Sequence, residues 1–206
     1  MEEQVTIPGP GITLEGRFLQ GAGQGAAVIA HPHPLFGGSM DNNVVWTMVL
    51  AFQTKEWATL RFNFRGVGRS TGSHGQGLTE VEDLGAALEF LEGRSSGPYY
   101  LVGYSFGGAV VARALLQGLK ADGALLISPP IAFMDLSFLP LVPNLSLIIA
   151  GDQDELCPLG DLEALLKARP TPAPVTVIAN TDHFFGGREE ALFNAVQDYL
   201  RSGSPA

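Results

Sequence analysis

YYLVGYSFGGAVV, residues 99–111, is the stretch on which the reading of the fold turns. A short apolar run ending at Tyr104 meets a G-x-S-x-G frame, with Ser105 between Gly103 and Gly107, and helix-spaced Val110, Leu115 and Leu116 follow. A serine presented on so sharp a strand-to-helix turn has a strained backbone, and bulky neighbours would collide across it. Glycines at both flanks meet that demand. Gly107, Gly108 and Ala109 are small enough for the next helix to begin close against the strand, with its N-terminus aimed at Ser105. In isolation the motif is also compatible with an ordinary glycine-rich turn; the clean strand before it and the clean helix after it favour a nucleophile.

Working outward, the same alternation recurs. The runs AAVIA (26–30), ATLRFNF (58–64), GALLIS (123–128), LSLIIA (145–150) and PVTVIA (174–179) are short and continuously apolar. That pattern predicts strands buried on both faces, as in a parallel sheet. Between them fall residues at helical spacing: Val44, Met48 and Phe52; Val81, Leu84, Leu88 and Leu91; and Leu192, Val196 and Tyr199. Thr79 followed by Glu82 reads as a capping box opening the second of these helices. Val5 to Ile7 and Ile12 to Leu19 predict an antiparallel hairpin at the sheet edge. The fold class is therefore α/β: a mostly parallel twisted sheet, helices on both faces, and an active site at the carboxyl ends of the strands.

Composition sets limits on this picture. The 206 residues suit one domain, 1–206, and at 46% hydrophobic and 16% charged they can bury a substantial core. A net charge of −9, with only 12 Lys and Arg, disfavours nucleic acid as a partner. The opening MEEQVTIPGP lacks the basic and apolar regions of a signal peptide, and no apolar run is long enough to span a bilayer. A cytoplasmic protein that does not enter the membrane is expected. A single cysteine, Cys157, forms no internal disulfide and no cysteine-only metal cage.

A serine nucleophile needs a base and an acid, in the chain order Ser, Asp or Glu, His, each after a later strand. GDQDELCP (151–158) follows LSLIIA, and NTDHFF (180–185) follows PVTVIA. His183 is the expected base. Of Asp152, Asp154 and Glu155, the expected acid is Asp154, whose further reach past Gly151 lets the chain turn over the strand end before Pro158. Asp152 is expected to cap the turn, and Asp182, adjacent to His183, to be a loop or cap residue. The oxyanion hole is expected from the Phe106 N–H and one N–H of HPHPLFGGSMDNN (31–43). Pro32 and Pro34 have no N–H, which leaves His33 first and Leu35 second. A competing reading pairs His31 and His33 as an H-x-H metal site, but the chain has four histidines in all and no further ligand cluster. RFNFRGVGRSTG (61–72) fits neither nucleotide-binding glycine pattern and reads as a structural loop.

Together HPHPLFGGSMDNN, RFNFRGVGRS, GYSFGG, GDQDELCP and NTDHFF resemble the small, lid-poor bacterial α/β-hydrolases related to dienelactone hydrolases and acyl-peptidase catalytic domains. The likeness runs from about residue 25 to the C-terminal helix. It implies an α/β-hydrolase fold and Ser105, Asp154 and His183 as a triad. The chain departs from the pattern in having HP where much of that superfamily has HG, and Ser105 where dienelactone hydrolases have Cys. The expected activity is hydrolysis of a small carboxylic ester, thioester or amide through an acyl-enzyme, with no cofactor and a small-molecule substrate as partner; oligomeric state is left open. The rival is a non-catalytic binding protein on the same scaffold, which an intact Ser, Asp and His set argues against. Residues 129–144, apolar and proline-rich, are expected to form a short cap-like segment able to serve as a low rim.

Overall fold

The computed structural model describes residues 1–202; the last four residues of the expected 1–206 domain lie outside the described residues. Eight strands form one sheet: β1 (Glu3–Gly9), β2 (Ile12–Leu19), β3 (Ala26–Ala30), β4 (Ala58–Phe62), β5 (Tyr99–Tyr104), β6 (Gly123–Ile127), β7 (Leu145–Gly151) and β8 (Val175–Ile178). Their spatial order is β1-β2-β4-β3-β5-β6-β7-β8. β1 with β2 and β2 with β4 are antiparallel, and every other pair is parallel. The helices are α1 (Asn43–Gln53), α2 (Glu80–Glu92), α3 (Phe106–Leu116), α4 (Leu159–Leu166) and α5 (Glu189–Arg201).

The continuous apolar runs have a direct structural reason. In β3, Ala26, Val28 and Ala30 enter one core while Ala27 and Ile29 enter the other. In β5, Leu101 faces the first core, and Tyr100, Val102 and Tyr104 face the second. Successive side chains point to opposite faces, and both faces are covered. α2 and α3 cover the first with Leu84, Leu88, Val110 and Val111. α1 and α5 pack together over the second through Val44, Met48, Phe52, Leu192 and Val196.

Strand order also locates the crevice. The chain leaves β3 through α1 toward β4 on one side, and leaves β5 through α3 toward β6 on the other. β3 and β5 are neighbours, so their following loops diverge and open a gap above their carboxyl ends, the usual place for a ligand in an open α/β sheet. The loop after β4 is pinned to α2 by Arg65. Its backbone N–H, Nε and Nη2 donate to the buried Asp83 of α2 at 2.9, 2.9 and 2.7 Å.

Two local expectations are corrected, and one helix is added. α2 begins where the sequence places it, but without a capping box: Thr79 has helical φ and ψ and its hydroxyl caps nothing. The Glu82 carboxylate turns to Arg65 at 3.0 Å, and the buried Glu80 instead accepts the Gly75 and Gly77 N–H groups at 2.7 and 2.9 Å. β8 is an edge strand, so only Ile178 is buried and Val177 is exposed. α4 was not anticipated, because eight residues supply too few turns for a periodic signal, and only Leu162 is fully buried.

Candidate active site

The elbow after β5 holds Ser105 at φ 52°, ψ −119°, a region that L-residues enter only under constraint. The constraint is backbone against backbone. A Cβ on Gly103 would lie 2.4 Å from the Gly107 carbonyl carbon, and one on Gly107 would lie 2.5 Å from Ala30 O and 2.7 Å from His31 O. α3 therefore starts directly against the end of β3, and only glycine allows it. The Ser105 N–H donates to Ile127 O at 2.8 Å, anchoring the turn to β6.

Three side chains from three strand ends converge here. His183 Nε2 lies 2.8 Å from Ser105 Oγ, and His183 Nδ1 lies 2.9 and 3.0 Å from the two oxygens of Asp154. All three residues are buried. An ionised carboxylate only accepts, so Nδ1 carries the proton and Nε2 keeps the lone pair that faces the serine hydroxyl. Burial pushes the Asp154 carboxyl up, but opposing contributions led by the hydrogen bond from His183 outweigh it and hold the acid below its usual range. Asp154 Oδ1 also accepts the Leu156 and Cys157 N–H groups at 2.9 Å each, which locks its orientation.

The competing acids stand elsewhere. Asp152 is exposed and accepts the Thr181 N–H at 3.1 Å, while the Gln153 N–H donates to Thr181 O at 2.9 Å, so this pair of contacts ties the β7 loop to the β8 loop. Asp182 is exposed and accepts the Phe184 N–H at 2.9 Å, and Glu155 is exposed. Tyr104, read from sequence only as a strand residue, donates its hydroxyl to His183 O at 2.8 Å and fixes the backbone of the histidine loop. Burial raises the Tyr104 pKa, so the phenol stays protonated as that donor.

On the other side of Ser105 lies the loop after β3. His31 is fully buried, with Nδ1 2.6 Å from Pro32 O and Nε2 accepting the Phe64 N–H at 3.0 Å. Both ring nitrogens are engaged, which leaves no lone pair for the H-x-H metal pairing that the sequence allowed. The ring is instead a strut between the β3 and β4 loops. Because it grips the Pro32 carbonyl, it also sets the plane of the peptide whose N–H belongs to His33. Among the described residues neither the His33 N–H nor the Phe106 N–H has a protein acceptor, whereas the Leu35 N–H donates to His33 Nδ1 at 3.2 Å.

His31 also carries a stability prediction. Burial lowers its pKa from 6.5 to about 4. The unfolded chain therefore takes up this proton first, so the contribution is fully present above pH 6.5 and is lost as pH falls from there toward 4. The loss amounts to about 3 kcal/mol. Urea midpoints between pH 7 and 4.5 should fall more steeply for the native protein than for His31→Gln; parallel slopes would refute the strut as a buried neutral imidazole.

These groups open into a cavity of about 510 Å³. Ser105, Phe106, His183 and Tyr104 form its floor, and Phe36, Phe133, Met134, Leu156, Phe184 and Asn42 are among its walls. Among the described residues, no Lys, Arg, Asp or Glu lines it. Residues 129–144 divide between two tasks: Pro130, Phe133 and Met134 reach the cavity, while Leu136, Leu139 and Val142 are buried in the core. Of the wall residues, Phe133 and Met134 lie in the segment expected to form a rim, whereas Phe36, Asn42, Leu156 and Phe184 were not singled out by sequence, because they come from three different loops and share no spacing. Exposed aromatic residues in loops that follow strand ends were the available signal.

Comparison with known proteins agrees with this architecture. An uncharacterized protein of Rickettsia prowazekii (strain Madrid E) is 32% identical over 209 residues, spanning 96% of this chain and 88% of that one. Among solved structures, an alpha-beta serine hydrolase homologue from Coxiella burnetii is 34% identical with a TM-score of 0.89, covering 96% of this chain and 97% of that one. A Xanthomonas campestris protein described as an a/b serine hydrolase without lid is 30% identical with a TM-score of 0.91, covering 100% of this chain and 96% of that one. A model of the alpha/beta hydrolase family matches residues 27–205, and with the sheet order and the serine elbow in place the chain belongs to that family.

Proposed function

We propose that this protein is a serine hydrolase that cleaves small carboxylic esters, or related thioesters or amides, through an acyl-enzyme on Ser105. The observation that carries the reading is the unbroken hydrogen-bond chain from Ser105 Oγ through His183 to Asp154 at the floor of an open cavity. Ser105 Oγ attacks the carbonyl carbon while its proton passes to His183 Nε2, and the carbonyl π electrons move onto oxygen. The Phe106 and His33 N–H groups stabilise that oxyanion, the former with the N-terminal dipole of α3 behind it. Leu35 is the weaker candidate because its N–H is already committed to the His33 ring. His183 then hands its proton to the leaving group, and a water repeats the sequence in reverse to free Ser105. Asp154 holds the imidazole in the required tautomer and stabilises the imidazolium. The reading needs no cofactor.

A fluorophosphonate probe tests it: mass spectrometry should find the adduct on Ser105. A folded native protein that takes up no probe would favour a binding role on the same scaffold.

Substrate size follows from the cavity. Only the short segment 129–144 stands over it where a lid would be inserted, so the methylenes of a long acyl chain are expected to extend into water, and each then adds far less than the ~0.8 kcal/mol of a buried one. p-Nitrophenyl acetate and butyrate should show higher kcat/KM than the laurate ester, with no activation at a lipid interface. A steady rise with chain length up to C12, measured below the critical micelle concentration, would reveal a deep acyl tunnel instead.

A further inference from the structure

We propose that the His33 imidazole is a positioning residue that holds its own backbone N–H in place as the second oxyanion donor, by capping the short turn that follows it. The inference rests on the serine hydrolase reading above and adds a role for a side chain that the triad does not use.

The turn is a single 3-10 turn, Pro34–Phe36, and His33 stands at its N-cap position. Prolines at 32 and 34 deprive this loop of two backbone donors, so few hydrogen bonds are left to fix it. His33 takes most of those that remain. Its carbonyl accepts the Phe36 N–H at 3.1 Å and the Gly38 N–H at 3.0 Å, and its ring Nδ1 accepts the Leu35 N–H at 3.2 Å. With these three bonds made, residue 33 is clamped from its carbonyl side and from its side chain, while its N–H remains without a protein acceptor among the described residues.

The ring is packed to perform this. Its centroid lies 4.8 Å from those of Phe36 and Phe106 and 4.9 Å from that of His74. Contact with Phe106 joins the two proposed oxyanion donors through one pair of rings, since the other donor is the Phe106 N–H. An acceptor at Nδ1 requires a neutral imidazole, and burial, then the neighbouring His74, lowers the His33 pKa from its ordinary value. A protonated ring would turn a donor toward the Leu35 N–H and release the turn.

The test compares variants that differ in the acceptor. His33→Phe keeps the aromatic contacts and removes the cap; His33→Ala is a second uncapped variant in case the larger ring disturbs folding. His33→Asn restores a side-chain oxygen suited to an N-cap. With p-nitrophenyl acetate, the Phe and Ala variants should lose kcat by about 10- to 100-fold with KM changed by less than about threefold, because an oxyanion donor acts in the transition state. His33→Asn should recover about tenfold of that loss. Amide exchange at residues 35–38 should quicken in the uncapped variants and slow again in His33→Asn. Uncapped variants that keep native kcat would overturn the inference, as would a rise in KM alone or a failure of Asn to rescue. Fluorophosphonate labelling of Ser105 in the native protein separates the two levels: its absence defeats the hydrolase reading, whereas labelling without the Asn rescue defeats only the role of the ring.

Discussion

Ser105→Ala and His183→Ala should each lower ester turnover by about 10³-fold or more and leave the fold standing. Ser105 Oγ makes its side-chain contact with His183 Nε2 at 2.8 Å, and its backbone is held independently by the Ser105 N–H to Ile127 O bond. Alanine at 105 thus deletes the attacking oxygen and leaves the elbow anchored. Alanine at 183 leaves the hydroxyl without an acceptor, while the Tyr104 hydroxyl still holds the loop through the backbone carbonyl. Because the two act as one unit, the double variant should lose little more than either single one. Turnover of p-nitrophenyl acetate with circular dichroism and Tm measured on the same preparations checks this. A folded Ser105→Ala protein with near-native turnover would remove the nucleophile assignment.

Asp154→Asn should cost about 10³- to 10⁴-fold in kcat, far more than Asp152→Asn or Asp182→Asn. An asparagine oxygen can still accept from Leu156 and Cys157, as Asp154 Oδ1 does, so the loop keeps its turn. The amide nitrogen then faces His183 Nδ1. That donor pairs with an unprotonated Nδ1, moves the imidazole proton to Nε2, and leaves no lone pair for the serine proton. At 152 the asparagine oxygen can take over the Thr181 N–H, and at 182 the Phe184 N–H, so each loop keeps its bond and the expected losses are below about tenfold. Equal, small losses at all three positions would take Asp154 out of the proposed triad.

The parts of this molecule that were legible in its sequence are those where one physical demand leaves few residue choices. Strands buried on both faces must be apolar throughout, so β3, β5, β6 and β7 announced themselves. β8 lies at the sheet edge with only Ile178 buried, and its run looked deeper than it is. Ser105 was legible because Gly103 and Gly107 face backbone atoms at distances no Cβ tolerates. His31 was not, since its partners, Pro32 O and the Phe64 N–H, are backbone groups, one of them on another strand's loop, and no side-chain pattern encodes them. The same holds for Tyr104, whose acceptor is the carbonyl of His183. The capping box at Thr79 failed for a related reason: the spacing was correct, but Arg65 and the loop at 75–77 offered the two glutamates stronger partners.

The seating of Gly107 against the carbonyls of Ala30 and His31 has an evolutionary consequence. The proposed nucleophile and both proposed oxyanion donors are gauged by contact between main chains, which side-chain replacement elsewhere does not reset. The aromatic walls Phe133 and Phe184 hang from the loops after β6 and β8, which do not share that contact. Selection can therefore exchange these walls one loop at a time to suit a new substrate while the reactive geometry is inherited unchanged, and a directed library confined to those two positions should yield altered preferences without loss of folded, probe-reactive protein.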